Sequence, residues 1–401
     1  MVIKRQWRWN ATAVLLALTA VLALVVVFNR LEVKEVRSRD ALTLTSAAHR
    51  LIKPQRLESG REAFLGGAPL KGKELQADQA SLTAAPFKLD VGVYPVNNYG
   101  VNLIDPSYQS TGYIWYRWDQ ELQDYMNRNQ LDPGHVFVPV NAIGDSTADT
   151  LKSLSKEPLR LPDGRYYCLY SYSGKFYMGT LDFHRYPFSG IGLPLKIEAD
   201  NAYLDYSQLR LVPDVKSSGL GGYTNISGWI NRGWSFAEYR HHYASDFGLD
   251  APESDYSQAV FEVAYGSSVW ASFWKLLQPL MVVMVMVVLS SKLPGYLDDV
   301  RLGIPVTVLL TLVFLQQSYQ SNVPNLPYLS FLDKVYVVCF VVTLFTFLLS
   351  LWVARRRHQV EHLGDPALTA AVEARIDVLD DITPPAVLVL MALAVVLCWL
   401  I

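Results

Sequence analysis

Apolar residues in this 401-residue chain gather into five long runs, at 11–28, 269–289, 302–315, 335–353 and 385–401, and a polar stretch, 29–268, separates the first from the second. Each run is long enough, or nearly so, to supply the roughly 20 helical residues that cross a hydrocarbon core about 30 Å thick. The third run stands apart. At helical spacing Gly303, Thr307, Leu310, Phe314, Gln317 and Ser321 fall on one stripe, while Val308, Leu309, Leu312, Val313 and Leu315 cover the rest. A membrane helix that keeps glycine, threonine, glutamine and serine in register meets water or protein along them rather than lipid, so the stripe reads as a pore wall.

The polar stretch carries a different period. Short alternating runs at 88–96, 112–118, 165–172, 175–181, 193–198, 209–212, 233–239 and 258–265 predict strands, with hairpin turns at Pro162-Asp163-Gly164 and Ser173-Gly174. Strands of this length and spacing predict a β-sandwich over 87–268. Residues 30–86 are charged and less patterned, with a helix expected within 31–50. The expected fold is thus a β + α membrane protein: a membrane anchor (1–29), an extra segment (30–86), an extracellular β-sandwich (87–268), and a four-helix transmembrane bundle (269–401) with a charged cytoplasmic connection at 355–384.

Charge orients these pieces. Lys4, Arg5 and Arg8 precede the first run, which places the amino end in the cytoplasm and the polar stretch outside. Lys292 and Arg301, then Arg355, Arg356 and Arg357, fall on the inside by the same parity. The expected location is a plasma membrane, the bacterial inner membrane if the chain is prokaryotic. A cleaved signal peptide is the rival reading of the first run, but Phe28-Asn29-Arg30 follow Val27 where small residues would mark a cleavage site, so a retained anchor is expected.

A net charge of −2, with no basic patch interleaved with aromatics, argues against a nucleic-acid partner. Of the three cysteines only Cys168 lies in the outer domain, which therefore closes no internal disulfide; Cys339 and Cys398 sit in apolar runs. Metal-ligand clusters, phosphate loops and a Gly-x-Ser-x-Gly elbow are all lacking, so neither a cofactor nor an enzyme is expected. Gly144-Asp145-Ser146, with Asp182 and His184, is a three-residue likeness of the kind that arises by chance. Two histidine groups remain: Arg240-His241-His242, and His358 with His362, whose i, i+4 spacing can chelate zinc but has no third ligand at that spacing.

Several motifs together resemble one family over about residues 87–401. Leu161-Pro-Asp-Gly-Arg165, then Asp182-Phe-His-Arg-Tyr-Pro-Phe188, is similar to a hairpin and signature loop around an aromatic-Pro-aromatic core. Pro279 sits in the first bundle helix, Arg301-Leu-Gly-Ile304 opens the second, and Ser321-Asn-Val-Pro-Asn-Leu-Pro-Tyr328 followed by Asp333 is similar to the linker to the third. These features resemble the pentameric ligand-gated ion channels, or Cys-loop receptors, in their prokaryotic form. The positions of the animal members' disulfide fall on Gly179 and Leu193, and bacterial members lack that bridge. Ser189 departs from the pattern, which usually has aspartate there.

The resemblance implies a homopentamer in the membrane lipid, a permeant ion, and a small-molecule or proton agonist. It places ligand contacts, in a pocket between neighbouring subunits, at Trp115, Trp118, Phe137, Tyr203, Tyr206, Tyr239 and Tyr243, with His241 and His242 bordering that pocket. Coupling would run through Pro187, Phe188, Pro324, Pro327 and Tyr328. In such a ring Gly303 and Thr307 would form a narrow polar stretch, Leu310 and Phe314 a hydrophobic constriction, and Gln317 and Ser321 an outer vestibule. Asp298 and Asp299 at the inner mouth suggest cation selectivity. The alternative is a non-conducting, membrane-tethered receptor.

Overall fold

The computed structural model describes residues 41–45, 68–69, 72–144, 150–179, 181–246, 248, 254–294, 297–363 and 366–400. The chain divides into a β unit, Glu35–Leu181 with Gly190–Ser268, and a helical unit that joins Asp182–Ser189 to Val269–Ile401. The first apolar run, and most of the segment before residue 72, lie outside the described residues.

In the β unit the strands are β1 (Ala41–Leu44), β2 (Ala68–Pro69), β3 (Phe87–Asn102), β4 (Ser107–Trp118), β5 (Phe137–Pro139), β6 (Ala142–Ile143), β7 (Leu151–Ser153), β8 (Leu159–Arg160), β9 (Tyr166–Tyr177), β10 (Gly190–Ala199), β11 (Leu209–Pro213), β12 (Ile230–Tyr243) and β13 (Ser254–Gly266). Among the described residues three helices join them: α1 (Gly72–Ala84), α2 (Gln120–Arg128) and α3 (Pro133–Val136). One sheet runs β2-β1-β12-β13-β10-β5, the other β11-β3-β4-β9-β6 with β7 and β8 also on β9. Period-two side chains give both sheets a shared core. Leu89, Val91, Ile114 and Tyr116 enter it from one, Leu193, Leu195, Phe236 and Phe261 from the other.

Two expectations fail here. Ser173 and Gly174 make no hairpin: β9 runs straight through them, paired with Thr111 and Ser110 of β4. Gly174 keeps a negative φ, and a Cβ there would meet Thr150 Cγ2 at 3.2 Å, so the small residue serves close packing rather than a turn. Nor is 41–44 helical. Its residues pair antiparallel with 242–239 of β12, and Leu42 and Leu44 pack on Ala237, Tyr239 and Val260. A free sheet edge and an apolar sheet face outweigh local helical preference.

A buried charge pair ties this added segment to the sheets. The side chains of Arg210 and Glu238 are both fully buried and doubly bonded, Nε to Oε1 at 2.7 Å and an Nη to Oε2 at 2.8 Å. The Thr45 hydroxyl, just past β1, donates to Glu238 at 2.7 Å. Arg210 lies 4.1 Å over the Tyr206 ring, and the Tyr206 hydroxyl donates to Asp78 of α1.

The helical unit comprises α4 (Val269–Ser272), a π-helical turn (Phe273–Leu277), α5 (Gln278–Ser290), α6 (Asp298–Gln320), α7 (Phe331–Leu363) and α8 (Pro366–Leu400). Pro279 has no N–H to offer the Lys275 carbonyl, and the wider π turn takes up the strand of helix just before it. Among the described residues three helices, Val269–Ser290, Phe331–His362 and Pro366–Leu400, are long and apolar enough to cross a membrane. The chain is a multi-pass membrane protein with a large β-sheet domain outside the membrane.

Pro305 lies early in α6, a helix position where proline is ordinarily confined to the first turn. It is an interior residue, because α6 already begins at Asp298. It leaves the Arg301 carbonyl without its usual amide partner. The described residues of 355–384 are helical, since α7 and α8 run on past their apolar stretches.

Candidate functional site

The described residues offer two arrangements with chemistry, one in each unit. In the helical unit α6 is two-faced. Arg301, Pro305, Val308, Leu312 and Tyr319 are buried against the bundle, following i, i+3, i+4 spacing. Gly303, Thr307, Leu310, Phe314, Gln317 and Ser321 are all exposed, with Leu310 at 58 % and Phe314 at 61 %. The Thr307 hydroxyl donates to the Gly303 carbonyl at 3.0 Å, so its methyl and oxygen together present a small polar surface.

At the start of α6, Asp298 is half-buried and accepts from an Nη of Arg357 at 2.8 Å, while Asp299 is exposed. Arg357 also lies 3.4 Å from Glu373. The two carboxylates expected to act together therefore stand in different surroundings.

Past its other end, loop 182–189 packs on the linker and on α7. Tyr328 is the meeting point: its hydroxyl accepts the Phe183 N–H at 3.0 Å, and the His184 ring lies flat on its ring, 3.9 Å between centroids. The His184 carbonyl accepts the Phe331 N–H at 2.8 Å. Phe188 packs on Phe331 and Trp399, and the Arg185 guanidinium lies 5.5 Å from the Trp399 ring. Pro187 is buried behind a cis peptide bond, whereas Pro324 is half-buried and Pro327 exposed in the linker. Ser330 and Asp333 cap α7 reciprocally, Ser330 Oγ donating to Asp333 Oδ2 at 2.7 Å and the Asp333 N–H to Ser330 Oγ at 3.2 Å. The Tyr319 hydroxyl of α6 donates to that same carboxylate.

In the β unit a pocket of about 430 Å³ opens on the outer face of β3, β4 and β9, lined by Tyr94, Tyr113, Trp115, Arg117, Tyr167 and Asp214 among others. Alternation builds it: Tyr113, Trp115 and Arg117 of β4 point away from the core that Ile114, Tyr116 and Trp118 enter. Asp214 gathers the polar side, accepting from an Nη of Arg117 at 2.6 Å and from Trp115 Nε1 at 3.3 Å. Asp90 beside it pairs with Arg165 at 2.7 Å; burial holds its carboxyl above the usual range, against the pull of Arg165 and Arg117.

Within a single chain the seven aromatics expected to bind ligand between neighbouring subunits lie in different surroundings. Trp115 lines the pocket. Trp118 and Phe137 are core residues, 1 % and 0 % exposed, and Tyr206 and Tyr239 are buried. Tyr203 is 80 % exposed. The Tyr243 hydroxyl donates to Glu198 at 2.7 Å, a carboxylate that also lies 2.9 Å from His241 Nδ1 and accepts from Gln258 at 2.8 Å. No protein-family model matches the chain, and no curated protein matches it either. Arg117, Asp214, Tyr94, Tyr113 and Tyr167, like Trp399, were not among the expected site residues, and His184 and Arg185 were legible only as members of the 182–188 motif. For Tyr113 and Arg117 the signal was present, two residues either side of Trp115 on one strand face.

Proposed function

We propose that this chain is one subunit of a ligand-gated ion channel, a ring of five copies in which α6 lines the ion path. The reading takes in a β-sandwich on the extracytoplasmic side, a four-helix membrane bundle and an amino-terminal anchor. One observation carries it: the six residues of the polar row are all uncovered in a single chain, while the opposite face of α6 is packed. Within a bilayer such a row has to be met by water or by another copy. One helix encloses nothing, so conduction needs cyclic symmetry about that row. Leu310 and Phe314 then form the constriction that dewets when closed.

The pocket around Trp115, Arg117 and Asp214 supports an agonist that offers both a flat or apolar body and a charged group, since aromatic faces and an ion pair meet there. Loop 182–189 is the covalent link between β9 and β10, and it holds Tyr328 and Phe331. A shift of those strands would reach the outer end of α6 by that route. Asp298 and Asp299 give the inner mouth a preference for cations.

The test is current across planar bilayers containing the purified protein, scanned over pH, divalent ions and small amines. It is joined to thiol modification of single cysteines placed at Thr307, Leu310 and Gln317. Gated current that a thiol reagent blocks at those positions is expected. A monomeric protein, or cysteines along the row that no reagent reaches, would sink the channel reading in favour of a tethered receptor.

A further inference from the structure

His358 and His362 stand one turn apart near the end of α7. Both are exposed, their Nε2 atoms are 3.1 Å apart, and their rings are inclined at 76°. Buried Val360 fixes which way this turn faces, so the two imidazoles share the open side of the helix. Two ring nitrogens at that separation have two uses. One can donate its proton to the other's lone pair, or both lone pairs can point at one ion. Nitrogens bound about 2.0–2.1 Å from a tetrahedral ion lie about 3.3 Å apart, so the second use needs only a small adjustment.

The surroundings decide which ion. Among the described residues no group of three His, Cys, Asp or Glu is placed to hold a metal, so a site at this pair has two protein nitrogens. Oxygen-seeking Ca²⁺ and Mg²⁺ gain nothing from two imidazoles, whereas Cu²⁺, Ni²⁺ and Zn²⁺ accept them and tolerate water beside them. The neighbouring arginines are partly engaged elsewhere: Arg357 with Asp298 and Glu373, Arg356 with Gln359 at 3.3 Å.

We propose that His358 and His362 form a two-imidazole site for a first-row divalent transition ion at the end of α7. Occupancy adds positive charge one residue along from Arg357, which holds Asp298 at the start of α6. The site itself stands whether or not the chain conducts.

Calorimetric titration of the full-length protein in detergent with Cu²⁺, Ni²⁺, Zn²⁺ and Mg²⁺ tests it. The expected result is one ion per chain, Cu²⁺ tightest and Mg²⁺ silent. Loss of an outer-shell partner of a metal-bound histidine weakens binding about 10–100-fold, so His358→Ala and His362→Ala should each weaken Cu²⁺ binding at least that much. Both side chains are exposed, and unchanged helicity by circular dichroism shows that the variants fold. Wild-type affinity in the double variant, or a Mg²⁺ isotherm matching that of Zn²⁺, overturns the proposal.

Discussion

Arg301 and Asp380 meet as a two-bonded pair, the two Nη atoms of the arginine donating to Oδ2 at 2.8 Å and Oδ1 at 2.5 Å, with the arginine side chain 1 % exposed. The pair pins the start of α6 to α8. The next residue, Asp381, holds Lys292 at 2.6 Å. Asp380→Asn leaves the guanidinium buried without its counter-charge, a loss of about 3–5 kcal/mol for pairs of this kind. Replacing both partners by apolar residues of similar size should cost far less. Thermal unfolding of the two variants in detergent checks the contrast; equal melting shifts would refute it.

Leu310 is among the most exposed apolar side chains of α6. In the proposed ring, Leu310→Ser wets the constriction and raises resting conductance severalfold or more. The Leu312→Ser control, on the buried face, should lower stability without opening a path. Unchanged resting current in the first variant counts against the row.

In the proposed ring Asp298 is paired with Arg357, so Asp299 would carry the effective charge at the inner mouth. Asp299→Asn should shift the reversal potential in asymmetric salt toward non-selectivity, and Asp298→Asn should shift it less. The reverse order would show that the pair opens in the conducting state.

Glu262 is a buried carboxyl whose pKa burial pushes up from 4.5 to about 8, with Lys196 pulling the other way. An unfolded chain loses this proton near pH 4.5 while the folded one keeps it to about pH 8. The unfolded state thus binds fewer protons in that window, and stability falls as pH rises through it. The loss is on the order of a few kcal/mol, complete above about pH 8. Glu262→Gln should flatten the profile and raise the melting temperature at alkaline pH. An unchanged slope in denaturant titrations from pH 5 to 8 would exclude Glu262 as the source.

Gly92 lies under Trp115, where an added Cβ would come within 1.9 Å of the indole ring. Gly92→Ala should displace the ring, at about 1–3 kcal/mol for such overpacking, and change the shape of the pocket. Near-ultraviolet circular dichroism reports the ring movement, and agonist response reports the pocket. Neither should change in Gly222→Ala, since nothing among the described residues lies within 4 Å of a Cβ at that position.

That six residues share one face of α6 follows from spacing alone, because a helix carries its period in the sequence. The same holds for the longer strands between 87 and 266, whose alternation shows everywhere but at the false break of Ser173-Gly174, whereas the two- and three-residue β5 to β8 are too short to carry a period. At that false break a serine and a glycine look the same whether they turn the chain or let β9 pass close to Thr150. The pocket was half legible: Trp115 was found, but Asp214 lies 99 residues away and is joined to it only by the register of β11, β3 and β4. Tyr206, expected as a ligand contact, bonds to Asp78 and lies under Arg210, partners that no local pattern shows.

Hydrophobic period and the positions of charge determined the membrane-length helices, the sheet-rich domain and the two-faced α6, since each depends on residues at most a few turns apart. Tertiary structure alone decided that Arg301 meets Asp380, that Arg357 claims Asp298, that Tyr328 lies beneath His184, and that residues 41–44 add a strand to β12. Those pairings join side chains far apart in sequence. Their partners are chosen by which buried charge or ring is left unsatisfied once the chain is packed, and no local pattern records that choice.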